Sequence, residues 1–122
     1  MQAVDNGGRR RRAERWGHLA EWLGALFLLS RGYRILALRY KTGLGEIDLV
    51  VRKGNVIAFV EVKSRRTLQA AVDAVNEPTK RRIRAASDLW ISRRRDAHLL
   101  ARRYDILAIR AWRLPVHFKD AF

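Results

Sequence analysis

Two carboxylates and an ammonium group occur at a spacing that suits metal chemistry. Asp48 ends a Gly-Glu-Ile-Asp run, and Glu61 and Lys63 follow thirteen and fifteen residues later with only Val62 between them. Carboxylate oxygens are ligands that Mg²⁺ prefers, but two carboxylates close together repel each other unless positive charge compensates. A divalent cation together with the nearby lysine would supply that charge. The residues therefore predict an Mg²⁺ site at Asp48 and Glu61.

A predicted β-hairpin positions these side chains. Two apolar, β-branched runs flank an Arg-Lys-Gly-Asn turn signal, which indicates antiparallel pairing. With a two-residue Gly-Asn loop, the register places Asp48 opposite Glu61 and Glu46 opposite Lys63 on one face. Opposed Cβ atoms lie about 4.5 to 5.5 Å apart, so both carboxylates can reach one cation. A slip of one residue would move them to opposite faces.

The alternative is that these charges form only the solvated face of a hairpin. Their apolar neighbours argue against it, because Val50, Ile57 and Phe59 would share the face with the charges. Both faces then resemble those of central, buried strands. The residues predicted to fill the opposite face are Ile47, Leu49, Val51, Ala58, Val60 and Val62.

The chain is strongly basic. It has 26 Lys and Arg against 12 Asp and Glu, a net charge of +14 over 122 residues. Such charge favours a nucleic acid partner, because phosphates give salt-sensitive affinity. The charge fits both nucleic acids, and DNA is the one expected first. The alternative is a general arginine bias, but the cations cluster. The candidate phosphate contacts are Arg65 and Arg66, just after Lys63, and Lys80, Arg81 and Arg84 on a predicted helix face.

The order of predicted elements indicates an α/β fold with a mixed β-sheet core flanked by helices. Residues 1–12 lack periodicity and predict a disordered basic arm, and residues 13–122 predict a single domain. In chain order, the predictions are a helix over 13–30, strands over 34–40, 46–51 and 56–63, a helix over 78–93, a strand over 104–110 and a short extended piece at 115–118. The first helix is expected to pack on the sheet through an apolar stripe formed by Trp16, Leu19, Ala20, Leu23, Leu26 and Phe27.

Composition also bears on the compartment. The chain has no cysteine, which excludes disulfides and thiolate metal sites and suits a reducing compartment such as the cytoplasm. The polar N-terminus does not resemble a secretory signal. The apolar run over 19–29 contains a glutamate and is too short to span a bilayer, so integral membrane association is not expected.

Several motifs together resemble a known family. The motifs that carry this resemblance are Ala20-Glu21, Gly32-Tyr33-Arg34-Ile35-Leu36, Gly45-Glu46-Ile47-Asp48-Leu49, Phe59-Val60-Glu61-Val62-Lys63-Ser64-Arg65, Pro78-Thr79-Lys80, Arg103-Tyr104-Asp105 and Asp120-Ala121-Phe122. In these motifs the chain resembles the YraN-like uncharacterised protein family, a branch of the restriction-endonuclease-like superfamily that is similar to archaeal-type Holliday-junction resolvases. The likeness covers nearly everything beyond the arm.

The resemblance implies a nuclease fold, an Mg²⁺ or Mn²⁺ cofactor and roles for individual residues. Asp48 and Glu61 match the metal ligands, Lys63 the catalytic lysine and Glu21 the acidic residue of the first helix. One departure is Ile47, which stands where the superfamily has a proline before the aspartate. Resolvase-like action on two strands would further imply a homodimer. The resemblance leaves open whether the substrate is branched or linear.

Two other hypotheses stay open beside a metal-dependent endonuclease. A non-catalytic nucleic-acid-binding protein would bind in a salt-sensitive way, indifferent to Mg²⁺ and to Asp48→Ala. A peripheral membrane or scaffold protein would use the aromatic first helix and the arginine arm on anionic lipid.

Some residues have more than one interpretation. Glu46 is either a further metal ligand or a structural partner of Lys63, and Asp105 either touches the site or pairs with an arginine. His18 and Glu21 lie three apart on a helix, as metal ligands can. The tryptophans at helical spacing are more typical of core residues than of base-stacking platforms.

Overall fold

A five-stranded sheet with helices on both faces forms the protein in this computed structural model. The structure describes the backbone of residues 3–122, with the burial of Gly8 and the side chains of Arg11, Arg12 and the residues from Arg15 onwards. Its elements are α1 (Ala3–Ser30), β1 (Arg34–Lys41), β2 (Glu46–Lys53), β3 (Val56–Ser64), α2 (Leu68–Asp73), α3 (Glu77–Ser92), a 3₁₀ turn (Ala97–Leu99), β4 (Ala101–Ile109) and β5 (Val116–Phe118).

The strands lie in the order β1-β2-β3-β4-β5. Neighbours pair antiparallel except β3 and β4, which are parallel because the chain crosses over through α2 and α3. The predicted mixed α/β sheet flanked by helices is therefore confirmed. Central strand β3 is almost wholly buried, as its continuous apolar sequence predicts.

The hairpin register is confirmed along most of its length. Lys53 pairs with Val56 across the Gly-Asn loop, and the pairing continues to Leu49 and Val60. Beyond that pair, the Oδ2 of Asp48 accepts a hydrogen bond of 2.8 Å from the backbone N–H of Val62. The side chain of Asp48 thus bridges to β3 at the end of the paired region.

Two hydrophobic clusters cover the two faces of the sheet. The cluster under α3 contains Val50, Ile57 and Phe59, as predicted. It also contains Ile47, which was wrongly expected on the opposite face with Leu49. Opposite this part of β2, Arg39 lies between the β1 residues that pair with Leu49 and Ile47 and has a φ of +48°, so β1 departs there from regular extended backbone.

Helix α1 starts at Ala3, earlier than the predicted start near Ala13. Residues 3–12, expected as a disordered arm, are therefore helical, while Met1 and Gln2 lie outside the described residues. The predicted buried stripe of this helix is also largely wrong. Leu19, Leu23 and Leu26 are exposed, with Leu26 at 61%.

Small residues explain which face of α1 packs on the sheet. The buried residues are Ala20, Gly24, Ala25 and Leu28. A Cβ at Gly24 would lie 2.8 Å from Cδ2 of Leu107, so this glycine allows the helix backbone to approach β4 closely. The close contact buries the small residues and turns the large ones outward. Among the described residues, no helix is both long and apolar enough to cross a membrane.

Candidate functional site

Asp48, Glu61 and Lys63 lie together where β2 and β3 stop pairing. They line an open cavity of about 440 Å³ that is bounded on its far side by Thr79 and Arg82 of α3. The same three side chains line a second cavity, of about 350 Å³, on the side of α1. The spacing that suggested metal chemistry thus brings the three groups to one location that solvent reaches from two sides.

Glu61 is the most perturbed acid of this site. It is 8% exposed, and Nζ of Lys63 lies 3.7 Å from its Oε1. Burial, together with the charge of Asp48 and a hydrogen bond to it, raises the pKa of Glu61 to about 9, although Lys63 opposes the shift. Two adjacent carboxyl groups that are partly removed from solvent, such as Glu61 and Asp48, do not both ionise readily unless a further positive charge lies nearby.

Glu21 reaches the site from α1, as the resemblance implied. It lines the second cavity with Asp48, Glu61 and Lys63. Burial first, and then the charge of Asp48, raise the pKa of Glu21 to about 7 against the lowering effect of Arg39. The Oε2 of Glu21 lies 3.1 Å from Nε of Arg39, but without the alignment of a hydrogen bond. A third carboxylate therefore lies near the pair with a buried oxygen that has no hydrogen-bond partner.

Arg39 is a site residue that the sequence reasoning did not identify. Its Nη1 lies 2.9 Å from Nε2 of His18, while its Nε faces Glu21. His18 and Glu21 thus both contact this arginine. The only sequence signal was an arginine at an otherwise apolar position in the alternation of β1, and its positive φ cannot be read from the sequence.

The carboxylates of this site are suitable ligands for Mg²⁺ or Mn²⁺, provided that substrate phosphates and water complete the coordination. Mg²⁺ usually keeps several waters and binds through one or two carboxylates plus substrate phosphates. Asp48 and Glu61 supply two carboxylates, and Glu21 supplies a third nearby, whose buried Oε2 makes no hydrogen bond but lies 3.1 Å from Nε of Arg39. Within the described part of the chain, no cluster of three acidic or histidine side chains is close enough to form a complete metal cage. The site thus suits an ion that substrate and water help to hold.

Glu46 is exposed and lines the first cavity beside Gly45. Lys63 pairs with Glu61 and not with Glu46, so the structural ion pair expected between Glu46 and Lys63 is not formed. Gly45 explains how this loop reaches α3, because a Cβ there would lie 2.6 Å from the backbone oxygen of Arg82.

The candidate phosphate contacts separate into two groups. Arg65 and Arg66 lie beside the site and line a neighbouring cleft with Trp16. Lys80 and Arg84 instead lie over the ring of Phe122, with Nζ of Lys80 at 6.0 Å and Cζ of Arg84 at 5.5 Å from its centre.

The position of α3 decides which of its cations faces the site. Arg81 is exposed and does not line either site cavity. The arginine of α3 that does line one is Arg82, which the sequence reasoning had not chosen. Helical periodicity indicated a cationic face, but the packing of α3 selects a neighbouring position on it.

Asp105 lies away from the site and is fully buried on β4. Its carboxylate accepts hydrogen bonds from Arg103, at 2.8 Å from Nη2, and from the backbone N–H of Asp120, and it contacts Nε2 of His117 at 2.7 Å. Burial would raise the pKa of Asp105, but these partners together lower it. Of the two interpretations, pairing with an arginine is the one that the structure supports.

Similarity to known proteins places the chain in a family. Over its full length it is 54% identical to a UPF0102 protein of Sinorhizobium fredii, covering all of that protein. It is 58% identical over 98% of its length to a UPF0102 protein of Agrobacterium fabrum, of which 99% is covered. A UPF0102 protein of Rhizobium meliloti is 52% identical over the whole of both chains. Residues 20–109, which contain Glu21, Asp48, Glu61 and Lys63, match the family itself. The chain therefore belongs to the uncharacterised protein family UPF0102.

Proposed function

We propose that this protein is a metal-dependent endonuclease that hydrolyses phosphodiester bonds of nucleic acid, DNA in preference to RNA. The observation that supports it most is the buried Glu61 held against Asp48 and beside Lys63 in a cavity open to solvent. A fold gains nothing in stability from two adjacent half-buried acids, so their presence at an open cavity argues for a ligand.

Each residue has a role that follows from its contacts. Asp48, whose Oδ2 is oriented by the N–H of Val62, and Glu61 would hold Mg²⁺ or Mn²⁺. A bound divalent cation polarises a scissile phosphate and lowers the pKa of its water. Lys63 is a compact cation 3.7 Å from Glu61, suited to neutralise charge that develops on the phosphate.

The surroundings of the site suit a polyanionic substrate. Arg82 lines one cavity and Arg65 the other, on opposite sides of the acids. The net charge of +14 supplies the long-range attraction that phosphates need. The earlier resemblance to restriction-endonuclease-like enzymes and resolvases supports the same reaction. We further propose that the protein acts in the cytoplasm, and as a homodimer if it cuts two strands.

Cleavage assays with matched variants test the proposal. Purified protein is incubated with branched, flap, single-stranded and duplex DNA, and with RNA, in Mg²⁺, Mn²⁺ or EDTA. We expect metal-dependent cleavage that Asp48→Asn and Lys63→Ala each reduce by at least about a hundredfold. Asp73→Asn and Lys119→Ala change exposed residues outside both cavities and should leave the rate unchanged. Cleavage rates that are the same for wild type and all four variants, and the same with and without metal, would contradict the proposed endonuclease activity.

A non-catalytic nucleic-acid-binding protein is the second candidate. The contact between Arg39 and Glu21 favours it, because this arginine already neutralises part of the acidic charge without a metal. In that case DNA binding would be salt-sensitive and equal in Mg²⁺ and EDTA, and Asp48→Ala would bind as wild type does.

A further inference from the structure

A cationic cleft adjoins the acidic site on the side of α1. It has a volume of about 430 Å³, and its lining includes Trp16, Arg65, Arg66, Arg110 and Arg113 and, among the side chains that the structure describes, no acidic one. Trp16 and Arg65 also line the cavity that contains Asp48, Glu61 and Lys63. The cleft and the acidic site thus adjoin and share part of their lining.

The indole of Trp16 is held in place and yet remains exposed. Its Nε1 donates a hydrogen bond of 2.7 Å to Oγ of Ser64, the residue directly after Lys63. The residue is nevertheless 43% exposed, where an indole that served only as core would be buried. An indole fixed by its edge, with its ring accessible, forms a platform for a flat ligand.

The arginines of the cleft are available for an anion. Among the side chains that the structure describes, no carboxylate forms a salt bridge with the four cleft arginines. The Nε of Arg110 is buried without a hydrogen-bond partner. Guanidinium groups bind phosphate oxygens in a bidentate geometry, and four of them around one cleft create strong local attraction for phosphate.

We propose that this cleft binds an unpaired nucleotide next to the scissile phosphodiester, with its base on Trp16 and its phosphate among Arg65, Arg110 and Arg113. Aromatic side chains bind bases of any sequence by stacking, but a base can reach a fixed indole only when it is out of the duplex. The proposal rests on the proposed nuclease function and narrows its substrate to nucleic acid with a single-stranded segment beside the cut.

Binding without turnover tests this cleft separately from catalysis. The full chain with Asp48→Asn is titrated in EDTA against fluorescently labelled single-stranded DNA, splayed duplex and blunt duplex, with anisotropy as the readout. Adding Trp16→Ala should weaken binding of single-stranded DNA and of splayed duplex by about tenfold. Binding of blunt duplex should weaken by less than about twofold. Trp16→Phe, which keeps a ring, should recover most of the loss. Trp22→Ala, which removes an exposed tryptophan of the same helix outside the cleft, should change none of them.

The arginines provide a second test that leaves Trp16 and its hydrogen bond intact. Arg113→Ala should weaken single-stranded binding and reduce the slope of log affinity against log salt by about one. Arg95→Ala removes an equal charge from an exposed position outside the cleft, and should affect single-stranded binding less. If circular dichroism shows that Trp16→Ala does not fold, the difference in single-stranded DNA binding between Arg113→Ala and Arg95→Ala tests the cleft by itself.

Three results would overturn the proposal. One is equal weakening of single-stranded and blunt duplex DNA by Trp16→Ala, and another is an Arg113→Ala variant indistinguishable from Arg95→Ala. The third is binding of phosphatidylserine–phosphatidylcholine vesicles that depends on Trp16 while DNA binding does not, which would indicate a lipid surface instead. A protein that cleaves no substrate but shows the expected binding differences would reject the nuclease and retain the nucleotide cleft.

Discussion

At the scale of single residues, Glu61 connects the stability of the fold with its proposed chemistry. Its pKa of about 9 means that the folded, metal-free protein keeps a proton that the unfolded chain releases near the ordinary value of 4.5. The folded state therefore binds more protons between these values, and its stability falls as pH rises through them. An acid retained at such a cost is typical of a functional site.

The variant Glu61→Gln tests this pH dependence. Because glutamine does not titrate, the free energy of unfolding in EDTA should fall less between pH 5 and pH 8 than in wild type. At pH 8 we expect the free energy of unfolding of Glu61→Gln to exceed that of wild type by about 1 to 3 kcal/mol. Urea denaturation at both pH values measures it, and Glu77→Gln, an exposed glutamate on α3, is the control. Parallel pH profiles for wild type and Glu61→Gln would contradict the buried-acid interpretation.

At the scale of elements, the contact between α1 and the sheet decides which residues reach the site. Helical periodicity correctly predicted the helix, but its largest apolar residues are not the ones that it buries. Gly24, Ala20 and Ala25 allow a close approach, and this orientation points Glu21 and Trp16 toward the cavities beside β3. Packing by small residues thus leaves a row of leucines outside.

Substituting Gly17 and Gly24 of α1 separates the effect of packing from that of helix propensity. Gly17→Ala meets nothing within 4 Å and should stabilise the protein by about 0.5 to 1 kcal/mol. Gly24→Ala gains the same propensity, but its Cβ presses on the buried Leu107 and should cost about 1 to 3 kcal/mol. Thermal and urea denaturation of both variants measure the difference. If Gly24→Ala is as stable as Gly17→Ala, the packing of α1 against β4 does not require a glycine at position 24.

At the scale of the whole molecule, the two buried carboxylates differ in how far their surroundings compensate them: Asp105 belongs to a stabilising group on β4, and Glu61 belongs to the proposed site on β3. Asp105 on β4 is fully buried but satisfied by Arg103, His117 and the N–H of Asp120, so it joins β4, β5 and the C-terminal segment. Glu61 on neighbouring β3 has only Lys63 to offset its burial and the charge of Asp48. The two carboxylates should therefore respond to substitution in opposite directions.

Asp105→Ala tests the stabilising group. Removing this partner leaves Arg103 without its buried counter-ion and should destabilise the fold by about 3 to 5 kcal/mol. Because the folded pKa of Asp105 is lowered, its contribution is fully present well above the ordinary value of 3.8 and is lost progressively as pH falls from there through the lowered folded pKa. Urea denaturation at pH 7 and at a series of pH values below 3.8 measures both effects. Asp88→Ala, at an exposed ion pair with Arg102, should cost less than about 1 kcal/mol, and an equal loss there would contradict the distinction.

The sequence by itself determined the features that depend on neighbours along the chain. The period-two alternation and the Gly-Asn loop were enough to predict the hairpin and its register from Lys53–Val56 to Leu49–Val60. The same local rules predicted the order of the strands and the helices α1 and α3, since each follows from periodicity and end signals within it, but they did not predict the short helix α2. The predicted pairs Asp48–Glu61 and Glu46–Lys63 lie beyond the last paired residues, where Asp48 instead accepts a hydrogen bond from the N–H of Val62.

Tertiary structure alone decided what depends on contacts between distant segments. The left-handed backbone of Arg39, the place of Ile47 under α3, the choice of Arg82 over Lys80, and the exposure of Trp16 all arise where two elements pack together. Periodicity shows that a helix has an apolar side, but the shape of the partner surface selects the residues that it buries. For that reason the acids and the lysine could be recognised in the sequence, whereas the arginines and the tryptophan around them could be assigned only in the folded protein.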